Sequence, residues 1–313
     1  MNKKYLVIDA SNLLHRTFFV HMATDPDLII NLTYHTTFIT LNKYFKKVKP
    51  NQIIMAFDRG NWRKTFTGSD QCYSKKLYKG HRKDAMAPKV RLLYEQFLNF
   101  VSDFEQLVRE HSSIICMSKD QLEADDLIGG IAEVAYKNND DIVILSGDKD
   151  MIQLLRYNKP RINGSDKCVT ILDPATNTER EHEDPDYFLF EKCIRGDSGD
   201  NVQNAFPRVR ATKIKEAFIN PFAQVNMFNE TWINEDGRAM NVEKLFKENK
   251  LLMDLTAQPP HIRQLIFETI EYEMANPGKF SHFHFLKFLG KYELKNLSSQ
   301  LTTFIPILNL KAA

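Results

Sequence analysis

Four short apolar runs, separated by stretches of helical periodicity, each lead into an acidic residue. Tyr5-Leu6-Val7-Ile8 stops at Asp9, the run at 52–57 stops at Asp58, the run at 113–117 is followed by Glu123, and the run at 141–146 by Asp148. Parallel neighbours in a sheet need a long crossover, usually a helix, so this alternation predicts an α/β fold with a central, mostly parallel sheet flanked by helices. The carboxyl ends of such strands open on one crevice, so the four acids point to one place. Looser strands are expected near 161 and at 168–172.

Helices are expected at 28–47, 88–110 and 122–136, where apolar residues recur at helical spacing. After about 183 the pattern turns helical throughout, starting at Asp184-Pro185, an N-cap followed by a first-turn proline. Further helices are expected at 185–194, 209–218, 242–255, 261–275 and 281–294, with a turn at Trp232–Gly237. Two regions follow: 1–183 around the sheet, and 184–313 as a helical domain.

The 313 residues are 43% apolar, enough to bury a sizeable core, and no apolar run approaches the ~18 residues that span a bilayer. The first residues run straight into a strand with no export signal, so a cytoplasmic protein is expected. Cys72, Cys116, Cys168 and Cys193 form no CxxC pair, which suits free thiols.

Three acidic clusters stand out, two of them around acids already named: Glu123-Ala124-Asp125-Asp126 opening a helix, Ser146-Gly147-Asp148-Lys149-Asp150 after a strand, and Gly196-Asp197-Ser198-Gly199-Asp200-Asn201. One acid at a helix start is an ordinary cap. Caps do not require acids after successive strands, so the set calls for cations. Oxygen ligands without His or Cys select Mg²⁺ or Mn²⁺ over zinc. Nine acids (Asp9, Asp58, Glu123, Asp125, Asp126, Asp148, Asp150, Asp197 and Asp200) exceed what one ion uses. A pair of ions about 3.5–4 Å apart can clamp the attacking and leaving oxygens of a phosphoryl displacement, which points to phosphodiester hydrolysis. No phosphate loop or dinucleotide fingerprint supports an NTPase or a dehydrogenase.

The formal net charge is only +2, but setting those nine acids aside leaves 31 against 42 basic residues. An acidic hole in a basic surface suits a polyanionic substrate. Segment 59–87 lacks clear periodicity and carries Arg59, Arg63, Lys64, Lys75, Lys76, Lys79 and Arg82 among Trp62, Phe66, Tyr73 and Tyr78. It leaves the sheet at the edge where the acids lie, and long connections of this kind are usually functional. Its aromatic residues suit either stacking on bases or partial burial against the domain.

With these landmarks in order, the sequence resembles the 5′-nuclease superfamily, which includes flap endonucleases and the 5′-nuclease domain of bacterial DNA polymerase I. The matching motifs are Val7-Ile8-Asp9-Ala10-Ser11-Asn12, Ala56-Phe57-Asp58, Tyr78-Lys79-Gly80-His81-Arg82, Glu123-Ala124-Asp125-Asp126, Ser146-Gly147-Asp148-Lys149-Asp150 and Gly196-Asp197 to Asp200-Asn201. The resemblance implies that Asp9, Asp58, Glu123 and Asp125 hold a first Mg²⁺. It implies that Asp148, Asp150, Asp197 and Asp200 hold a second, with Asp126 joining through water. Lys79 and Arg82 would hold the scissile phosphate, 59–87 would form an arch over the 5′ strand, and a helix-hairpin-helix near 191–218 would grip the duplex.

Where the family usually has a glycine-rich hairpin, this chain reads Phe206-Pro207-Arg208-Val209-Arg210-Ala211-Thr212-Lys213. Without glycines the backbone cannot approach phosphate as closely, so Arg208, Arg210 and Lys213 are expected to make side-chain contacts instead. The same loss resembles the T4-type phage ribonuclease H, which implies a phage source and removal of RNA primers from RNA–DNA hybrids and 5′ flaps. It also implies partners such as a single-stranded-DNA-binding protein and a sliding clamp. A monomer is expected. The other classes to separate are a PIN-like endoribonuclease and a junction-binding protein without catalysis. The C-terminal phenylalanines (Phe267, Phe280, Phe283, Phe285, Phe288, Phe304) are expected to pack as core.

Overall fold

The computed structural model describes residues 2–22, 26–83, 88–160 and 166–310; of Arg82 only the backbone is described. The strand expected near 161 lies outside the described residues. Six strands form the main sheet: β1 (Lys4–Asp9), β2 (Gln52–Ala56), β3 (Ile115–Met117), β4 (Asp141–Leu145), β5 (Val169–Leu172) and β6 (Glu179–Arg180). Their order is β3-β2-β1-β4-β5-β6, parallel except for the antiparallel β6 at one edge. The chain builds outward from β1 in one direction and then the other, so the crevice beside the carboxyl ends of β1 and β4 is the switch point where such sheets bind ligands.

Helices α1 (Ala10–His21), α2 (Pro26–Val48), α3 (Trp62–Thr67), α4 (Pro88–His111) and α5 (Ala124–Asn138) connect the first four strands. Because successive side chains on a strand point to opposite faces, β1 sends Leu6 and Ile8 into one core and Tyr5 and Val7 into the other. Both faces are covered, as a parallel sheet requires.

The helical region contains α6 (Pro185–Arg195), α7 (Ala211–Ile219), α8 (Pro221–Phe228), α9 (Val242–Met253), α10 (Pro260–Ala275), α11 (His282–Lys291), α12 (Lys295–Ser299) and α13 (Leu301–Leu308). Between α8 and α9 a hairpin pairs β7 (Thr231–Ile233) with β8 (Ala239–Asn241), and its turn places Gly237 at φ +78°. The expected boundary at 183/184 is not where the packing divides. Ile262, Ile266 and Ile270 of α10 join the core beneath α5, while Phe285, Phe288 and Phe304 join the opposite one. Among the described residues, α6 to α9 form a further cluster beside the sheet, packed through residues such as Phe190, Ile194, Ile214 and Met227. The C-terminal phenylalanines are therefore largely core, although Phe283 is exposed.

Segment 59–83, the described part of the expected arch, packs its aromatic residues against the domain. Trp62, Cys72 and Tyr78 are buried, and the backbone N–H groups of Tyr73 and Ser74 both donate to the buried Glu248 of α9. Tyr73 Oη accepts from the Asn241 N–H at 3.0 Å. Burial of these rings, one of the two roles open to them, is the one observed. No helix among the described residues is long and apolar enough to cross a membrane, and all four cysteines are free and buried.

Candidate active site

The acid that ends β1 is also the N-cap of α1. Asp9 Oδ1 accepts from the Asn12 N–H at 2.9 Å, and Oδ2 accepts from Ser146 Oγ at 2.8 Å. Ser146 Oγ in turn accepts from the Asp148 N–H at 3.1 Å, so one hydroxyl joins the ends of β1 and β4. Ser11 Oγ accepts from the Asp58 N–H at 2.9 Å, and Asp58 Oδ1 accepts from the Ala124 N–H at 2.7 Å, where α5 begins. Asp148 caps the 3₁₀ helix Lys149–Tyr157 by accepting from the Asp150 N–H at 2.8 Å. The caps and the acidic site are thus the same residues.

Electrostatics links the acids. Burial, then Asp58 and Asp148, pushes the Asp9 carboxyl up to about 7. Asp125 is pushed far above the carboxylate range by burial and then by Asp148, Asp9 and Glu123. Burial also raises Glu123 and Asp150, against the pull of Arg63 and Lys79 on the first and Lys192 on the second. Mutual repulsion of this kind means that Asp9, Asp58, Glu123, Asp125, Asp148, Asp150 and Asp197 share one region. Asp200 joins them through Lys79, whose ammonium lies 2.7 Å from Glu123 Oε1 and 3.8 Å from Asp200 Oδ2.

Two distant motifs are tied together at this point. The Lys79 N–H donates to the Asp200 carbonyl at 2.8 Å, Asn201 Nδ2 donates to the Leu77 carbonyl at 2.8 Å, and Tyr78 Oη donates to Asp200 Oδ2 at 2.6 Å. Lys79 itself sits at φ +52°. Gly196, which ends α6, has φ +69°, and a Cβ there would lie 2.6 Å from the Val202 carbonyl oxygen, so only glycine fits.

Two residues take roles different from those expected. Asp126 is fully buried, and its carboxylate accepts two guanidinium bonds from Arg63 (2.9 and 2.8 Å), one from Gln258 (3.1 Å) and one from the Glu123 N–H (3.2 Å). With its lone pairs filled it is set apart from the other eight acids. Arg63, expected at the DNA surface, is 2% exposed; it also donates to Glu123 Oε2 at 3.1 Å and to the Leu252 carbonyl at 2.6 Å. The acidic side chains at the start of α5 attract it inward. Arg59 pairs with the buried Glu105 at 2.9 Å, and Lys213 with Glu230 at 2.5 Å. Lys64, Lys76, Arg208 and Arg210 are exposed, as is Lys75, which pairs with Asp70. The Arg82 side chain lies outside the described residues.

Lys192 is the residue that sequence reasoning missed. It projects from α6 to pair with Asp150, and lies 3.0 Å from Asp197 Oδ2. Burial disfavours its charge, but the two carboxylates outweigh this and raise its pKa. The signal was a lysine one helical turn before the Gly196-Asp197 motif.

The donor set is carboxylate oxygen throughout, which fits a hard divalent cation. Among the described residues, however, no three His, Cys, Asp or Glu side chains form a ready-made ion cage. Lysine ammonium groups and backbone N–H groups hold several of these acids instead.

Residues 4–182 match the family described as the 5′-3′ exonuclease, N-terminal resolvase-like domain. The chain belongs to this 5′-3′ exonuclease family. It is 30% identical over 237 residues to the 5′-3′ exonuclease of Buchnera aphidicola, covering 72% of this chain and 74% of that one. It is 29% identical over 259 residues to DNA polymerase I of Bacillus subtilis, covering 80% of this chain and 27% of the polymerase. The chain thus spans about a quarter of the length of that polymerase. A bacteriophage T5 flap endonuclease in complex with DNA and metal ions has the same fold, with a TM-score of 0.62 at 18% identity over 87% of this chain and 99% of that one.

Proposed function

We propose that this protein is a divalent-metal-dependent phosphodiesterase that removes 5′ flaps and RNA primers, acting as a 5′-3′ exonuclease and flap endonuclease. The observation that supports it best is the gathering of acids from five motifs at the carboxyl ends of β1, β2 and β4, with Lys79 of the sixth among them. In this reading Asp9, Asp58, Glu123 and Asp125 hold one Mg²⁺, and Asp148, Asp150, Asp197 and Asp200 hold a second. When bound, such ions neutralise a phosphodiester and activate water against it. Asp126 is left out of the set because its oxygens are already taken.

Lys79 would orient the scissile phosphate and offset charge that builds on it. The backbone tie to Asp200 fixes where its side chain starts. The exposed Arg208 and Arg210, at the start of α7, would meet the duplex backbone, contacts that carry no base code. Arg82 remains a proposed phosphate contact. A single-stranded-DNA-binding protein and a sliding clamp belong to this proposal through the T4-type resemblance, and a monomer in the host cytoplasm of a phage is part of it as well.

A 5′-labelled flap and an RNA–DNA hybrid incubated with Mg²⁺, beside an unstructured RNA, test it. Short 5′ products from the first two support the proposal. Cleavage of the unstructured RNA alone indicates an endoribonuclease, and binding without products a junction-binding protein.

A further inference from the structure

Lys192 sits where the second carboxylate group would receive an ion. Its ammonium pairs with Asp150 and lies 3.0 Å from Asp197 Oδ2, with the lysine side chain only 14% exposed. α6 carries it there from a well-defined start: Asp184 caps the helix by accepting from the Tyr187 N–H at 2.8 Å, and the helix is anchored by the buried Leu189, Phe190, Cys193 and Ile194. The chain between Lys192 and Asp197 is fixed as well, since Asp197 and Val202 exchange backbone bonds across the turn at 3.1 and 2.7 Å. Lysine and aspartates are therefore presented to one another by rigid elements.

An ammonium and a divalent ion placed on the same pair of carboxylates repel each other and compete for their charge. An ammonium is a compact point charge on a flexible stem, able to withdraw as a unit. We propose that Lys192 is a built-in competitor for the second divalent ion: it neutralises Asp150 and Asp197 until an ion displaces it, and so sets the affinity of that group. The inference rests on the reading of these acids as an ion centre. Its consequence is that the fully loaded site forms only when the divalent-ion concentration overcomes the lysine, while Asp9 and Asp58, which are not paired to Lys192, fill first.

The test is calorimetric titration of Mn²⁺ into the metal-free full chain, without nucleic acid, for the wild type and Lys192→Met. The wild type is expected to show a tighter and a weaker site. In the variant the weaker site should tighten about tenfold, or 1.4 kcal/mol. Metal-free, the variant should melt lower than the wild type because Asp150 and Asp197 lose their counter-ion, and saturating Mn²⁺ should close that gap. Lys192→Arg retains a cation and should leave the weaker site no tighter than in the wild type, which keeps the test decisive if the methionine variant does not fold. An unchanged or weakened second site in Lys192→Met, or a tightened one in Lys192→Arg, overturns the inference alone. Absence of Mn²⁺ uptake by the wild type overturns the ion centre itself and the inference with it.

Discussion

Replacing Arg63 by methionine separates its two candidate roles. A guanidinium at the DNA surface would contribute little to folding, because exposed substitutions usually stay within about 0.5 kcal/mol. In the structure Arg63 is 2% exposed and makes four bonds, two to Asp126, one to Glu123 and one to the Leu252 carbonyl. Removing one partner of a buried pair leaves an uncompensated charge and costs about 3–5 kcal/mol. At roughly 2 °C per kcal/mol for a chain of this size, the melting temperature should fall by about 6–10 °C. Differential scanning calorimetry in EDTA measures this without involving divalent ions. The double variant Arg63→Met with Asp126→Leu removes both charges and should recover most of the loss, since apolar replacement of a buried ion pair is often neutral. A melting temperature within about 1 °C of the wild type, together with weaker duplex binding, would refute the buried role and return Arg63 to the surface.

Asp148→Asn should keep the cap on the Asp150 N–H while relieving repulsion with Asp9, Asp125 and Asp150, so the metal-free melting temperature should hold or rise as Mn²⁺ uptake and cleavage fall. Calorimetry and a flap assay measure the pair of effects; a clearly lowered melting temperature would count against the assigned role. Lys79→Ala should reduce single-turnover cleavage by about 10²–10³, the loss expected for one donor to a developing negative charge, with flap binding changed far less. The pH dependence follows from Asp9. Its folded value of about 7 lies above the 3.8 of the unfolded chain, so between these values the folded state binds more protons and metal-free stability falls as pH rises. Thermal melts in EDTA from pH 4 to pH 7 should show that decline, flattened in Asp9→Asn; stability rising through this window would contradict the repulsion.

Short continuous apolar runs and helical patterning located the parallel sheet and most of the long helices, because both faces of β1 and β2 are apolar and β1, β2 and β4 lead into an acid. Helix α1 was hidden because it starts inside the first motif, where Asp9 serves as strand end, cap and site residue at once. The 3₁₀ helix after Asp148 was hidden for the same reason. Segment 59–83 read as a loop since its anchor is Glu248, far along the chain and buried only in the folded state. Composition also cannot separate a lysine that will face solvent from one that will face two aspartates. Arg63 and Lys192 differ from Lys64 and Lys76 only through the tertiary neighbours that α3 and α6 bring to them.

Crystals soaked in Mn²⁺ and measured by anomalous scattering examine the whole site in one experiment. The account predicts two bound ions, one touching Asp9, Asp58, Glu123 or Asp125 and the other touching Asp148, Asp150, Asp197 or Asp200, with the Lys192 ammonium moved away and Asp126 still on Arg63. Manganese found only elsewhere on the protein, with the eight carboxylates free of it, would contradict the account.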